Sequence, residues 1–395
     1  MNHKTKLLAS TLLALGLSAP AFAQDVPAAA GDDVLKIGLV YTLSGPPAAL
    51  GVQARDGFLL AAEKMGEIGG MKTEIIIVDD EGKPDLAAEK ARELVVRDNV
   101  DFVVGPIFSN ILMAIVQPVT STGTILISTN AGTSTLAGEN CNPNFYTTSY
   151  QNDQMHEVMG AYAEKMGYTN VFLMTPNYQA GKDAMAGFKH SYTGGTAGEV
   201  FTELGQLDFS SELAQIAAFQ PDAVFTFMPG GMGVNLVKQY SQAGLTSIPF
   251  LSTFTVDETT LPATQDAGVG LMAGSNWAPD MDNAANKTFV DGYIAKYDAL
   301  PGTYAMQGYD AAQMIDAAVK KVGGDLTDRD ALRAALHDAD FDSPRGDFSF
   351  GNNNFPIQDF YLTTAVKRDD GFYGTSIQEK IFDDYVDNYA AECKM

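Results

Sequence analysis

The stretch KIGLVYTLSGPPAALG (residues 36–51) contains the change of pattern on which the fold depends. It begins within an apolar run typical of a buried strand, Leu35–Val40. The Ser44-Gly45 pair then predicts a turn, and the pattern over Ala54–Gly66 predicts a helix. A strand that turns into a helix presents the free N–H groups of the helix N-terminus, which attract anions. The stretch therefore predicts an α/β unit that can hold an anion.

Short apolar runs and longer amphipathic stretches alternate along the rest of the chain. The predicted strands are Leu35–Val40, Glu74–Val78, Phe102–Val104, Thr124–Ile127, Val171–Met174, Ala223–Phe227, Pro249–Leu251 and Gly270–Ala273. The predicted helices are Ala54–Gly66, Pro84–Val96, Gln154–Met166, Gly181–Ser191, Ser210–Phe219, Gly233–Ala243, Asn286–Tyr297, Tyr309–Val322 and a segment within 327–339. Such alternation is typical of parallel sheets covered by helices. Because there are too many units for one compact sheet, we predict an α/β protein with two doubly wound parallel-sheet lobes.

Residues 1–23 have the pattern of a cleaved secretory signal peptide. Lys4 and Lys6 precede a short apolar run, Leu7–Leu17, and Ala21–Ala23 supplies a small-x-small cleavage site. A membrane anchor would need about 18–20 apolar residues, and this run is shorter. We therefore expect an exported, periplasmic protein.

The charge balance is strongly acidic. The chain has 49 acidic and 25 basic residues, a formal net charge of −24. Such a field repels phosphate backbones and anionic lipid, so we do not expect nucleic acid as a partner.

The chain contains two cysteines, Cys141 and Cys393. In an oxidising compartment they most simply form one disulfide, and the alternative is two separate thiols. Neither lies in a Cys-x-x-Cys motif or beside a histidine, which argues against redox or zinc chemistry.

The sequence contains no recognised motif for catalysis or for a cofactor. There is no Gly-x-Ser-x-Gly elbow, His-Glu-x-x-His motif, P-loop or dinucleotide fingerprint. His156, His190 and His337 are predicted to lie on solvated helices. The carboxylates of Val78–Asp85 and Pro279–Asn283 lack the spacing of a calcium loop, so no metal or other cofactor is expected.

The predicted strand-to-helix turns carry hydroxyls, amides, small residues and aromatic rings. They are Ser44-Gly45, Phe108–Asn110, Thr129–Thr133, Tyr178–Gly181 and Met228–Gly231. Ligands of open α/β sheets bind beyond the carboxyl ends of the strands. Two facing sheets would place these turns on opposite walls of one cleft, which suits a small anion.

A series of motifs resembles the branched-chain amino acid type of ABC-importer solute-binding proteins. The motifs are KIGLVYTLSGPPAALG, DNVDFVVGPIFSN, ILISTNAGTSTL, YQAGKDAMAGFK, QPDAVFTFMPGGMGVNLVKQYSQAGL and YAMQGYDAAQMI, in that order. The resemblance implies the type I periplasmic-binding fold, in which two lobes joined by three crossovers close around one solute. It implies as partners a membrane permease and its ATPase subunits. The lobes are predicted at 34–147 with 278–342, and at 148–277 with 343–395; Tyr146–Asn152 and Gly274–Pro279 are predicted hinges.

The resemblance also implies where the solute is held. In that family two turns hold the solute carboxylate. The resemblance implies that they correspond in this sequence to Phe108-Ser109 and Asn130–Thr133. Tyr178, the Phe227–Pro229 turn and Phe254 would form the far wall. The candidate ligand-binding residues are Leu50, Arg55, Phe108, Ser109, Asn130, Ala131, Gly132, Thr133, Tyr178, Met228, Phe254 and Tyr304.

Phe254 takes the position at which amino-acid binders usually place an acidic residue. A cleft without a carboxylate would leave an ammonium group desolvated and unpaired. Phe254 instead offers a ring face, and Phe108, Tyr178, Met228, Trp277 and Tyr304 are predicted nearby. We therefore expect an aromatic acid, such as a benzoate or cinnamate. A branched-chain amino acid and an exported enzyme acting on aromatic acids are the alternatives.

Arg55 has two interpretations. It lies near the start of a helix, where a cation opposes the helix dipole. It either donates a charge-assisted bond to the solute or another lobe, or forms a surface pair with Asp56.

Overall fold

The computed structural model describes residues 34–395, so the predicted signal peptide at 1–23 lies outside the described residues. The strands are β1 (Val34–Tyr41), β2 (Lys72–Asp79), β3 (Phe102–Val104), β4 (Ile125–Ser128), β5 (Phe145–Thr147), β6 (Asn170–Pro176), β7 (Gly195–Thr202), β8 (Ala223–Phe227), β9 (Phe250–Thr253), β10 (Met272–Ser275), β11 (Ser349–Phe350), β12 (Pro356–Lys367) and β13 (Tyr373–Tyr385). The helices are α1 (Ala48–Met65), α2 (Pro84–Val96), α3 (Ser109–Thr120), α4 (Ser134–Ala137), α5 (Asn152–Lys165), α6 (Gln179–His190), α7 (Ser210–Phe219), α8 (Gly231–Gln242), α9 (Leu261–Thr264), α10 (Ala284–Tyr297), α11 (Thr303–Lys321) and α12 (Arg329–His337).

The first sheet is parallel throughout, in the order β2-β1-β3-β4-β5. Its central strands are continuous apolar runs because helices cover both faces; β3 and β4 are completely buried. Helices α2 and α3 pack against each other, and α1 packs along α11. All four strands predicted for this part of the chain are present.

The second sheet combines a parallel part with an antiparallel part. Strands β7-β6-β8-β9-β10 run parallel; β6, β8, β9 and β10 were predicted, whereas β7 was not. Strand β12 then pairs antiparallel with β10, β11 and β13. The expectation of wholly parallel lobes is therefore incomplete. In β12 buried and half-buried residues largely alternate, so the strand lacks the continuous apolar run on which the strand predictions were based.

The chain passes between the two sheets three times. It leaves β5 for α5, which packs on the second sheet. It returns after β10 to α11, which packs on α1, and crosses again between α12 and β11. The exact lobe boundaries, 34–147 with 278–342 and 148–277 with 343–395, stay predictions.

The C-terminal segment is attached to the loop that precedes β5 of the first sheet. The structure joins Cys141 and Cys393 by a disulfide with an S–S distance of 2.04 Å. Asn353 supports the same attachment, because its Nδ2 donates to Ala137 O and to Asp387 Oδ2, both at 2.8 Å. The segment that follows β13, the last strand of the second sheet, is thus bonded to the side of the first sheet. Across residues 34–395, no helix is both long enough and apolar enough to cross a bilayer.

Candidate functional site

A narrow cavity lies where the carboxyl ends of strands from both sheets meet. The loops after β3 and β4 supply one wall, and the loops after β6, β8 and β9 supply the other. The lining residues are Leu50, Ile107, Phe108, Ser109, Asn130, Ala131, Tyr150, Asn152, His156, Tyr178, Ala180, Phe227, Pro229, Phe254 and Tyr304. This is the position at which open α/β sheets bind ligands.

Aromatic rings form a connected wall around the cavity. Phe254 lies 5.5 Å from Tyr150, 5.9 Å from Phe227 and 5.8 Å from Tyr304 between ring centroids. Tyr178 continues the series, with its ring stacked on Phe227 at 6.2 Å. Rings held in this way present flat, rigid faces to a ligand.

Two helix N-termini converge on the same cavity. Phe108 and Tyr178 are the residues that precede α3 and α6, and their rings meet edge to face at 6.3 Å. Within the described chain, no side chain caps either helix. Helical bonding starts at Leu112 N–H in α3 and at Lys182 N–H in α6. The N–H groups of both first turns are thus free of helical partners and favour negative charge.

Hydrogen bonds fix the polar side chains beside α3. Asn130 donates to Ile107 O at 2.7 Å and accepts from the Tyr150 hydroxyl at 2.6 Å. Asn152 Nδ2 donates to Ser109 Oγ at 3.1 Å. Since Ser109 accepts this bond, its own hydroxyl hydrogen is available to an acceptor in the cavity.

A buried aspartate joins the two sides of the site behind this wall. Asp183, on α6, accepts from Ser134 Oγ at 2.7 Å and from Asn152 Nδ2 at 2.8 Å. Gln179 Nε2 adds a third bond at 2.8 Å. Burial raises the pKa of Asp183, while these donors lower it. Because Ser134 follows β4 of the first sheet and Asp183 follows β6 of the second, the aspartate links the two walls directly.

No residue that lines the cavity carries a formal charge at neutral pH. The lining contains no Asp, Glu, Lys or Arg, and burial lowers the pKa of His156 to about 3. Asp257 lies close enough to raise the pKa values of Tyr150 and Tyr304, which burial already raises. Burial raises the pKa of Asp257 itself to about 6. Its Oδ1 accepts from the loop at Thr259, whereas its buried Oδ2 has no partner among residues 34–395.

The structure brings most of the predicted site residues to the cavity. Those that line it are Leu50, Phe108, Ser109, Asn130, Ala131, Tyr178, Phe254 and Tyr304. Those that do not are Arg55, Gly132, Thr133 and Met228. Trp277, which was predicted near the cleft, also lies elsewhere, with its Nε1 donating to Asn286.

Each predicted residue that misses the cavity has a local structural reason. Arg55 pairs with Asp56, its Nη2 lying 2.7 Å from Oδ1, in agreement with the alternative interpretation. Met228 is completely buried in a separate core beneath the second sheet. Gly132 packs against the Tyr150 carbonyl, where a Cβ would clash, and Thr133 caps α4.

The sequence analysis missed part of the lining. The missed residues are Ile107, Tyr150, Asn152, His156 and Ala180. Phe227 and Pro229 belong to the turn that was assigned to the wall, but Met228 was chosen from that turn. The prediction that His156 is solvated is wrong, because it is 2% exposed. His190 and His337 are exposed, as expected.

A two-lobed α/β molecule with a cavity between the strand ends of both sheets is typical of solute-binding proteins. The chain belongs to the periplasmic binding protein family, whose model matches residues 34–371. The resemblance and the fold class inferred from the sequence are thereby confirmed.

Three relatives illustrate the range of this family. A solute-binding protein of an ABC transporter from R. palustris, in complex with benzoate, is 33% identical with a TM-score of 0.85, covering 92% of this chain and 100% of that one. A second, from Rhodopseudomonas palustris BisB5 in complex with 3,4-dihydroxybenzoic acid, is 31% identical with a TM-score of 0.84, covering 90% and 99%. The Leu/Ile/Val-binding protein homolog 6 of Brucella melitensis is 28% identical, covering 92% and 96%.

Proposed function

We propose that this chain is the periplasmic receptor of an ABC importer for an aromatic carboxylic acid of the benzoate class. After export and removal of residues 1–23, it would capture the acid and present it to a permease and its ATPase subunits. The acid would be released unchanged. The family and the aromatic-acid complexes among its relatives support this proposal.

The observation that carries the proposal is an uncharged aromatic cavity joined to two helix N-termini. A carboxylate placed at these N-termini would find N–H donors, the Ser109 hydroxyl and favourable helix dipoles. A planar apolar body would lie against the rings around Phe254. An ammonium group would find no lining carboxylate, and burying an unpaired charge costs several kcal/mol.

Closure follows from contacts on both walls. Ser109 belongs to the side of the first sheet, and Tyr178 and Phe254 belong to the second. A ligand that touches all three binds the closed form more tightly than the open form, and only such a difference can shift the equilibrium.

The arrangement of side chains argues against chemistry on the ligand. Ser109 Oγ bonds to Asn152, whereas the His156 imidazole bonds to Thr253. The cavity's serine and its histidine are therefore not hydrogen-bonded as nucleophile and base. This favours a receptor over an exported enzyme.

Calorimetric titration of the mature protein tests the proposal. Benzoate, 4-methylbenzoate and cinnamate are titrated alongside leucine and valine, after any co-purified molecule has been identified by mass spectrometry. We expect saturable binding of at least one aromatic acid, weak or no binding of the amino acids, and recovery of the acid intact. Exclusive binding of leucine or valine would contradict the ligand, and turnover would contradict the receptor function.

Asp257 supports a branched-chain amino acid as the second candidate. Its unpartnered Oδ2 lies in the neighbourhood of Tyr150 and Tyr304 and could pair with an ammonium group after a small rearrangement. If this alternative holds, Asp257→Asn abolishes leucine binding. Under the aromatic-acid proposal, the same substitution leaves benzoate affinity within about threefold, since Asp257 does not line the cavity.

A further inference from the structure

His156 is a polar side chain within an otherwise aromatic part of the cavity. It lines the cavity from α5 and is only 2% exposed. Its ring meets Phe227 edge to face at 5.1 Å and Phe225 at 5.9 Å between centroids. A leucine or phenylalanine would fill such a position without a desolvation cost, so the buried imidazole requires an explanation.

One nitrogen of the imidazole is satisfied and the other is not. Nδ1 lies 2.6 Å from Thr253 Oγ1. Nε2 makes no hydrogen bond to any of residues 34–395. Because burial keeps the ring neutral, Nε2 is a donor in one tautomer and an acceptor in the other. A hydroxyl group, which both donates and accepts, can complement either tautomer.

The position of His156 on α5 sets its distance from the anion end of the cavity. Asn152, which bonds to Ser109, precedes it by four residues, so both side chains lie on the same face of the helix. One helical turn advances about 5.4 Å. This spacing is comparable with the length of a benzene ring between a carboxyl group and the substituent opposite to it.

We infer that His156 binds a hydroxyl group on the ligand ring, opposite the carboxylate, and thereby selects hydroxylated aromatic acids. The inference rests on the proposed function and narrows its ligand class. The carboxylate lies at the α3 and α6 N-termini, the ring lies among the phenylalanine and tyrosine side chains, and the hydroxyl reaches Nε2. A ligand without this hydroxyl leaves Nε2 buried and unpaired, which lowers its affinity.

A comparison of three acids tests this inference directly. 4-Hydroxybenzoate, 4-methylbenzoate and benzoate are titrated into the wild-type protein and into His156→Phe. The methyl group matches the hydroxyl in size but cannot form a hydrogen bond. We expect wild type to bind 4-hydroxybenzoate about tenfold more tightly than 4-methylbenzoate, the value of one buried hydrogen bond. In His156→Phe this preference disappears, through loss of 4-hydroxybenzoate affinity alone.

Two further variants separate a role in recognition from a role in folding. Thr253→Val is nearly isosteric and removes the partner of Nδ1, so it should weaken the preference even if His156→Phe does not fold. His190→Phe changes an exposed histidine of α6 and should leave all three affinities unchanged.

The outcomes also distinguish this inference from the proposed function. Equal wild-type affinities for the hydroxy and methyl acids would overturn the inference and leave an aromatic-acid receptor. An equal loss of affinity for all three acids in both His156→Phe and Thr253→Val would also overturn it. If none of the three acids binds to wild type, the proposed function fails together with the inference.

Discussion

Phe254 has a backbone conformation that bulky side chains rarely adopt, with φ at 53°. Such residues persist where surrounding contacts hold them, and they concentrate at ligand sites. Here the ring contacts with Tyr150, Phe227 and Tyr304 hold the side chain at the centre of the aromatic wall. The local backbone therefore places Phe254 where a ligand ring would lie against it.

Phe254→Ala should weaken benzoate binding at least tenfold, measured by calorimetry. The substitution removes ring contacts that are worth about 0.5–1.5 kcal/mol per aromatic pair beyond buried area. The melting temperature should fall less than in Phe289→Ala, because Phe254 borders a cavity whereas Phe289 is completely buried. Phe289→Ala serves as the control and should keep wild-type affinity once folded. Unchanged affinity in Phe254→Ala would remove this residue from the binding site.

At the scale of elements, the sequence predicted the wall residues that directly follow strands. Ser109 and Tyr178 come after continuous apolar runs, whose carboxyl ends meet at one edge of a sheet, whereas Phe254 was placed by the family resemblance. Tyr150 and Asn152 lie in the segment predicted as a hinge, but which of its side chains face the cavity depends on tertiary packing and leaves no local pattern. His156 lies one turn further along α5, and a helical pattern alone does not distinguish a cavity-facing histidine from a solvated one.

Helix α5 also carries two buried acids that contact the C-terminal segment. Glu157 accepts from the Tyr385 hydroxyl and from Asn388 Nδ2, the latter at 2.6 Å. Asp153 accepts from the Tyr389 hydroxyl at 2.7 Å. Burial raises the pKa of each to about 7. These acids thus bind protons more tightly in the folded protein than in the unfolded chain.

The stabilisation that Glu157 gives the fold, measured through the melting temperature, should decrease as the pH rises from 5 to 8. A carboxyl group whose pKa is raised on folding stabilises the fold fully below its unfolded pKa, near 4.5. That stabilisation is lost as the pH passes through about 7, because ionisation is then more favourable in the unfolded chain. Glu157→Gln mimics the protonated acid, so its melting temperature should fall less steeply with pH than that of wild type.

Glu67→Gln, at an exposed glutamate, is the matched control and should retain the wild-type slope. Differential scanning fluorimetry at constant ionic strength gives the three slopes. Carboxylates elsewhere affect all three proteins equally, so the difference in slope isolates Glu157. Parallel curves for wild type and Glu157→Gln would refute this account of α5.

At the scale of the whole molecule, one buried polar network joins all three crossings between the sheets. Arg345, on the third crossing, pairs with Asp310 of α11 at 2.8 Å, with side chains 1% and 0% exposed. It also donates to Ser149 O on the first crossing, at 3.2 Å. Asn276, on the second crossing, donates to the same carbonyl at 3.3 Å, and Gln358 of β12 accepts from both Arg345 and Asn276. The network therefore holds the three crossings together at one point.

The same network predicts a strongly non-additive pair of substitutions. Arg345→Met leaves the Asp310 carboxylate buried without its partner and should cost about 3–5 kcal/mol of unfolding free energy. The double variant Arg345→Met/Asp310→Leu removes both charges and should recover most of that loss. Arg368→Met breaks an exposed pair with Asp370 and should cost less than about 1 kcal/mol. Urea denaturation of these proteins and of Asp310→Leu measures these differences, and additive losses in the double variant would show that the pair is not coupled. We expect the Arg345 network to be the same in the open and closed forms, so it does not favour either form. The double variant should therefore also keep wild-type benzoate affinity.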